Sequence, residues 1–411
     1  MSQTKFQRKT KENKPVVAIC YDFDKTLSPD NMQAQGYIQS TGYATEAFWR
    51  KSNQLAEEND MDQNLAYMFL MVQSARGKLI VSRQKLMAYG AKVKLFPGVK
   101  TWFDRINRYG EERDVVVEHY IISSGLKEMI EGTAIARSGV FEKIYASSFY
   151  YDESGVAVWP AQVINYTSKT QFLFRIEKGV LDINDPGVNE YFAPTELRVP
   201  FRNIIYIGDS DTDIPCMKLV NTYGGHSIGV YDPKEQGQHK EQDKHKVYQL
   251  IEDNRIKYYA PANYVADGEL DVLVKMIIDR TEMNERLESL HSKQLNKALE
   301  ADKLDQRDER EKVKDALIED LTGSTSFKYT HHVIHALSQY GDWSESQRQR
   351  LFQALIDNKQ IRWITDDSDI RTFYEGLVST EKNLSPLAAR VRDLLQRQGL
   401  KNDSSLQTNG N

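Results

Sequence analysis

The chain has 411 residues, 40% of them hydrophobic, with 54 Lys and Arg against 59 Asp and Glu and a net charge of −5. That length predicts two or three domains with sizeable cores, and the mixed charge makes no case for nucleic-acid or membrane-surface binding by the chain as a whole. The two cysteines, Cys20 and Cys216, form no Cys-x-x-Cys pair, which excludes a disulfide framework or thiolate zinc site and fits a reducing compartment.

Residues 1–14 are polar and basic, unlike a secretory signal, and are expected to form a disordered tail. No stretch has the length of a membrane-spanning helix, so a cytoplasmic location is expected. Val16 to Tyr21 is a short, apolar, β-branched run and reads as a buried parallel strand. It ends abruptly in Asp22-Phe23-Asp24-Lys25-Thr26. Carboxylates two residues apart on an extended chain point to the same side. One could attack or bind a cation while the other moves protons; the plain alternative is a solvated acidic turn.

From about 29 to 95 the pattern is helical, with Phe48, Leu55, Leu65, Met68, Phe69 and Val72 at helical spacings. This insertion is expected to cap the strand tips. Its notable aromatic and cationic residues are Trp49, Arg50, Lys51, Arg76 and Lys78, candidates to grip a second anionic group on a substrate or simply to cover the cap surface. Val99 to Tyr109 predicts a helix. Val115 to Ile122 predicts a second strand ending at Ser123-Ser124-Gly125. Lys127 to Ala136 reads as helix and Lys143 to Tyr150 as a third strand. Lys169 to Lys178 is a helix closed by Gly179. Asn203 to Ile207 is a fourth strand, ending at Gly208-Asp209-Ser210-Asp211-Thr212-Asp213, and Ser227 to Tyr231 a fifth. Strands alternating with helices predict an α/β fold, a Rossmann-like parallel sheet with right-handed crossovers, in which ligands bind outside the strands' carboxyl ends.

The α/β unit is expected to close near residue 281. Residues 282–322 are dense in charge, with Leu287, Leu290, Leu295 and Leu299 too irregular for a sustained heptad, and read as a charged connecting helix. Residues 323–400 read as a small helical module. Ser344 to Gln347 is a candidate capping box, and Ser385-Pro386 supplies an N-cap and N1 proline. Arg390, Arg392, Arg397 and Lys401 give the last helix a basic side. His331, His332 and His335 cluster without evident ligand partners. Residues 401–411 are expected to be disordered. The stretch 282–400 is the candidate surface for a protein partner or self-association.

Asp22 and Asp24, Ser123, Lys169, and Asp209 with Asp213 stand in this order at or before successive strand ends. Together with Ala266-Asp267-Gly268-Glu269-Leu270 they make the chain, from about Val16 to Ile278, resemble the haloacid dehalogenase-like hydrolase superfamily. The insertion directly after the first motif resembles the cap of its phosphoserine phosphatase-like subgroup.

The resemblance implies a magnesium-dependent phosphatase of a small phosphorylated substrate. Asp22 would be nucleophile and metal ligand, and Asp24 the general acid and base, giving its backbone carbonyl to the metal. Asp209 would be a metal ligand, Ser123 and Lys169 would hold the phosphoryl oxygens, and Asp213 would support them. An acid at Asp24 argues for phosphoryl transfer rather than carbon–halogen cleavage. Ser124 is an alternative to Ser123 and Lys178 to Lys169, since an apparent insertion, Asn184 to Arg202, separates the lysine from Asp209. Cys20 and Cys216 flank the outer motifs as core residues or redox-sensitive thiols. Two other functions are open: a phosphatase of a macromolecule docked by the C-terminal module, or a non-catalytic binding protein on this fold.

Overall fold

The structure is a computed structural model and describes residues 6–209, 211–234, 238–381 and 384–405; of 238–243, 302–308 and 397–405 the backbone alone is described. Residues Met1–Ser289 and Leu290–Asn411 form two compact units.

The first unit is built on one sheet of seven strands: β1 Val16–Tyr21, β2 Val116–Leu126, β3 Phe141–Tyr151, β4 Ala157–Gln162, β5 Ile204–Gly208, β6 His226–Tyr231 and β7 Tyr258–Pro261. Their spatial order is β4-β3-β2-β1-β5-β6-β7. Every pairing is parallel except β3 with β4. The doubly covered parallel sheet is as the sequence implies. Strands β4 and β7 were not foreseen: one carries Pro160 at a sheet edge, where proline is tolerated, and the other has four residues.

All six residues of β1 are buried. Val17, Ile19 and Tyr21 enter the core on one face, and Val16, Ala18 and Cys20 the core on the other. This is the period-two signature of a strand covered on both sides. Tyr21 is in register with Ile121 on β2 and with Ile207 on β5. The residues that follow these three therefore emerge at one edge.

Helices α1 Tyr37–Ser40, α2 Thr45–Glu58, α3 Gln63–Ala75 and α4 Arg83–Gly90 make up the insertion. Asp62 caps α3 by accepting from the Asn64 and Leu65 N–H groups, and Ser82 caps α4. Then follow α5 Val99–Glu111, α6 Lys127–Gly132, α7 Ala134–Arg137, α8 Thr170–Lys178, α9 Ile214–Thr222, α10 Gln238–Glu252 and α11 Glu269–Thr322.

The expected boundary at 281/282 falls inside α11, which is continuous for 54 residues. Its beginning supplies Leu270, Val274, Ile277 and Ile278 to the first core, so the helix is anchored by apolar burial well before its charged stretch.

Residues 6–14 are not a free tail. Lys9 N–H donates to the Gly179 carbonyl, Arg8 donates to the Lys178 carbonyl, and Arg198 reaches the Thr10 carbonyl and Glu12. The sequence offers no local pattern for this strap, because its partners lie far along the chain. Residues 1–5 lie outside the described residues.

In the second unit, α12 Phe327–Leu337, α13 Glu345–Asp357, α14 Lys359–Trp363, α15 Ser368–Ser379 and α16 Pro386–Ser405 enclose an apolar core with Ile318 and Leu321 of α11. The Ser344/Gln347 capping box is present at α13, and Ser385 accepts from the Ala388 N–H. The α16 backbone runs on through residue 405, past the expected start of the tail, and 406–411 lie outside the described residues, as do the side chains of Arg397 and Lys401. His331 is bridged by Asp367 at 3.1 Å and Asp369 at 2.7 Å, two partners that position in sequence did not suggest.

Candidate active site

The loop after β1 is a tight turn. The Leu27 and Ser28 N–H groups both donate to the Phe23 carbonyl. From outside, the Tyr264 hydroxyl donates to the Thr26 carbonyl and the Phe96 N–H to the Leu27 carbonyl. Lys25, in this turn, adopts φ 56°. Among the described residues, four of the six non-glycine residues with positive φ are Asp or Asn, which tolerate that region; a lysine there costs about 1–2 kcal/mol relative to glycine.

Asp22 is 5% exposed. Its backbone N–H donates to the Ile207 carbonyl, and its Oδ1 accepts from the Phe23 N–H at 2.8 Å. The Ser123 hydroxyl, which accepts from the Gly125 N–H, is near enough to the Asp22 carboxyl to favour its charged form. Asp24 Oδ1 accepts from the Met32 N–H at 2.8 Å. A Cβ on Gly125 would come within 3.1 Å of the other Asp24 oxygen and 2.3 Å of the Met32 methyl, so a side chain there would crowd Asp24 and displace the end of Met32.

Lys169 ends the short 3-10 turn Tyr166–Lys169 and is fully buried. Its Nζ lies 2.7 Å from Asp213 Oδ1, 3.4 Å from Asp22 Oδ2 and 3.4 Å from the Thr212 hydroxyl. Tyr206 donates to the same Asp213 oxygen at 2.8 Å. Gly208 lets this arrangement close, since a Cβ there would stand 2.6 Å from the Asp213 carboxyl. Lys178, the alternative lysine, donates instead to the Val188 and Glu190 carbonyls.

Carboxylate oxygens of Asp22, Asp209 and Asp213 lie within 4.8 Å of one another. Burial, then the Asp213 charge, raises the Asp22 pKa to about 6 despite Lys169. Burial and the neighbouring acids push Asp209 well above the usual carboxylate range, and burial and Asp22 do the same to Asp24. For Lys169, burial favours the neutral amine, but Asp213 and Asp22 outweigh it and raise its pKa. The cluster therefore holds more negative charge than its one buried cation offsets. Such a set of hard oxygen donors fits a divalent cation.

Residues of the first, second and fourth sequence motifs line one cavity of about 290 Å³, and Lys169 stands buried behind its wall, against Asp22 and Thr212. Both Ser123 and Ser124 line it, and the Ser124 hydroxyl is buried without a protein partner. Trp49, Arg50, Lys51, Arg76 and Lys78 are not among its lining residues. Lys51 donates to the Tyr43 hydroxyl, and Lys78 to the Thr41 carbonyl. The cap reaches the site differently, through the Tyr67 hydroxyl, which donates to the Ser124 carbonyl at 2.8 Å. Sequence reasoning assigned no role to Tyr67, Tyr206, Lys25 or Lys246. Lys25 stands inside a motif, but nothing in the sequence marks Lys246. Cys20 and Cys216 are wholly buried, and burial pushes the Cys216 thiol up to about 12 and Cys20 well above its ordinary value, so both are packing residues rather than reactive thiols.

Comparison with known proteins gives the following matches. Residues 19–218 match the family model for haloacid dehalogenase-like hydrolase. An uncharacterized protein of Borreliella burgdorferi is 27% identical over 285 residues, covering 63% of this chain and 95% of its own. Among solved structures, a hydrolase of the same family from Salmonella enterica serovar Typhi has 16% identity and a TM-score of 0.42, over 65% of this chain and 73% of its own. A probable phosphoserine phosphatase from Vibrio cholerae has 11% identity and a TM-score of 0.41, over 66% and 67%.

Proposed function

Residues 19–218 belong to the haloacid dehalogenase-like hydrolase family, and on that premise we propose that the chain is a phosphatase of small phosphate monoesters. The observation that carries this reading is the convergence of the Asp22, Asp209 and Asp213 carboxylates, with buried Lys169, at the carboxyl ends of β1 and β5. A cavity of about 290 Å³ suits a phosphoryl group on a short alcohol better than a macromolecular surface.

Asp22 is the nucleophile. Its Oδ2, the oxygen not held by the Phe23 N–H, attacks phosphorus, the bond from phosphorus to the alcohol oxygen breaks, and an aspartyl-phosphate forms. Asp24 gives its proton to the departing alkoxide. Asp24, now a carboxylate, then takes a proton from the water that attacks the aspartyl-phosphate. Phosphate leaves, and both residues return to their starting states. Lys169 and the Ser123 hydroxyl hold the phosphoryl oxygens, and the lysine offsets charge gathering on them in the transition state. Asp213 and Tyr206 aim Lys169 from behind.

Magnesium would be held by Asp22, Asp209 and the Asp24 carbonyl, where it would neutralise the charge of the incoming phosphate and polarise its oxygens.

Phosphate release from a panel of monoesters, with magnesium or with EDTA, tests the proposal. Turnover should require the metal and disappear in Asp22→Asn and Asp24→Asn. Turnover persisting in both variants would overturn the mechanism.

A further inference from the structure

The cavity floor is acidic, yet its rim carries two lysines, Lys25 from the first motif and Lys246 from α10. Both stand near enough to Asp209 for their charge to be felt there. Neither has a structural task that accounts for its position. Lys25 is exposed, makes no hydrogen bond or ion pair among the described residues, and occupies a left-handed conformation that glycine would adopt freely. A side chain retained where the backbone prefers none is a pointer to function. The one ion pair of Lys246 among the described residues, to Asp211 at 3.3 Å, joins side chains 37% and 69% exposed. Such a pair contributes little and is readily exchanged. Asp232 also borders the cavity, but its Oδ1 accepts from the Lys234 N–H in its own turn. Of the cap cations, Lys51 and Lys78 are engaged elsewhere and neither Arg50 nor Arg76 lines the cavity, so a second charge on a substrate would meet these two lysines.

We infer that Lys25 and Lys246 hold a second anionic group on the alcohol portion of the substrate. The substrate class is therefore a phosphate monoester whose short chain ends in a carboxylate or another phosphate. Specificity for that group lies on the core side of the cavity rather than on the cap. The inference rests on the phosphatase reading and deepens it.

The test uses three probes: propyl phosphate, the same chain ending in a carboxylate, and the same chain ending in a second phosphate. Affinity is measured by calorimetry on the full chain with magnesium, and turnover by phosphate release. One or both charged probes should bind about tenfold more tightly than propyl phosphate, the magnitude of one charge-assisted hydrogen bond. The better of the two identifies the group. Lys246→Ala and Lys25→Gly should each shrink that ratio toward one, through KM rather than kcat, while Lys246→Arg preserves it. Lys25→Gly suits the local backbone, so loss of the ratio there is not a folding defect. Equal affinity for all three probes in the wild type would overturn the inference, as would variants that weaken all three equally, because the lysines would then serve the transferred phosphoryl group itself. A preserved affinity ratio with no turnover of any probe would instead sink the phosphatase reading and leave the inference standing.

Discussion

Two charged clusters lie in the same α/β unit, and their construction differs. Around Glu118, on β2, each buried charge has a partner. Glu118 Oε1 meets Arg198 at 2.5 Å and Lys9 at 2.6 Å, and Oε2 accepts from Tyr120 at 2.6 Å. Glu118 and Arg198 are each about 1% exposed at the side chain, while Lys9, Glu12 and Glu142 complete the network nearer solvent. At the tips of β1 and β5, three crowded acids share one buried lysine. A compensated cluster serves stability and fastens the N-terminal strap. An uncompensated one is costly unless something binds to it, which marks the place where phosphate and cation chemistry can occur.

The largest expected effect separates the two clusters by activity. Asp22→Asn should lower phosphate release by on the order of 10³-fold or more, since it removes a nucleophile. Its thermal midpoint should hold or rise, because one repelling charge has gone. A fall in both would show that the acidic cluster is structural.

The counterpart acts on stability. Arg198→Met leaves Glu118 buried beside only half-exposed Lys9. It should cost about 3–5 kcal/mol in urea unfolding, the usual result of breaking a buried ion pair. Turnover per folded molecule should stay at the wild-type level.

The balanced cluster also predicts a pH dependence. Burial would raise the Glu118 pKa, but the hydrogen bonds from Lys9, Tyr120 and Arg198 outweigh it and hold the pKa below its ordinary value of 4.5. Its folded-state pKa is thus lower than the unfolded one, so its contribution is complete above 4.5 and fades as pH falls through the folded value. The stability gap between wild type and Glu118→Gln should close on acidification below that point. A gap independent of pH would contradict the ionised assignment.

The smallest effects concern the cap. Lys51→Ala and Arg76→Ala should change KM for any anionic monoester by less than about twofold, within the range of neutral surface substitutions. A larger rise would return specificity to the cap.

This contrast also explains what could be read from the sequence. Asp22, Asp24, Ser123 and Asp209 were legible because each stands where an apolar, β-branched run stops, and the parallel register brings those stops level. Lys169 was less so. Lys178 is its alternative on the sequence, and only the fold shows it occupied by the Val188 and Glu190 carbonyls. The Glu118–Arg198 pair was illegible because the two residues lie 80 positions apart. Local pattern does not encode which distant partner a buried charge meets. The cap cations stayed between two readings for a related reason: composition names them, but helical spacing does not reveal that Lys51 and Lys78 turn toward Tyr43 and Thr41.

The most direct measurement asks for the covalent intermediate. Asp24→Asn removes the base that would release it and leaves Asp22 intact, and an aryl phosphate, whose phenolate departs without a proton, bypasses the loss of the acid. After rapid acid quench with magnesium and that aryl phosphate, peptide mass spectrometry should find a phosphoryl group on Asp22, and none when Asp22→Asn is added. Wild-type turnover with no such adduct in either protein, or an adduct on another residue, would contradict the account.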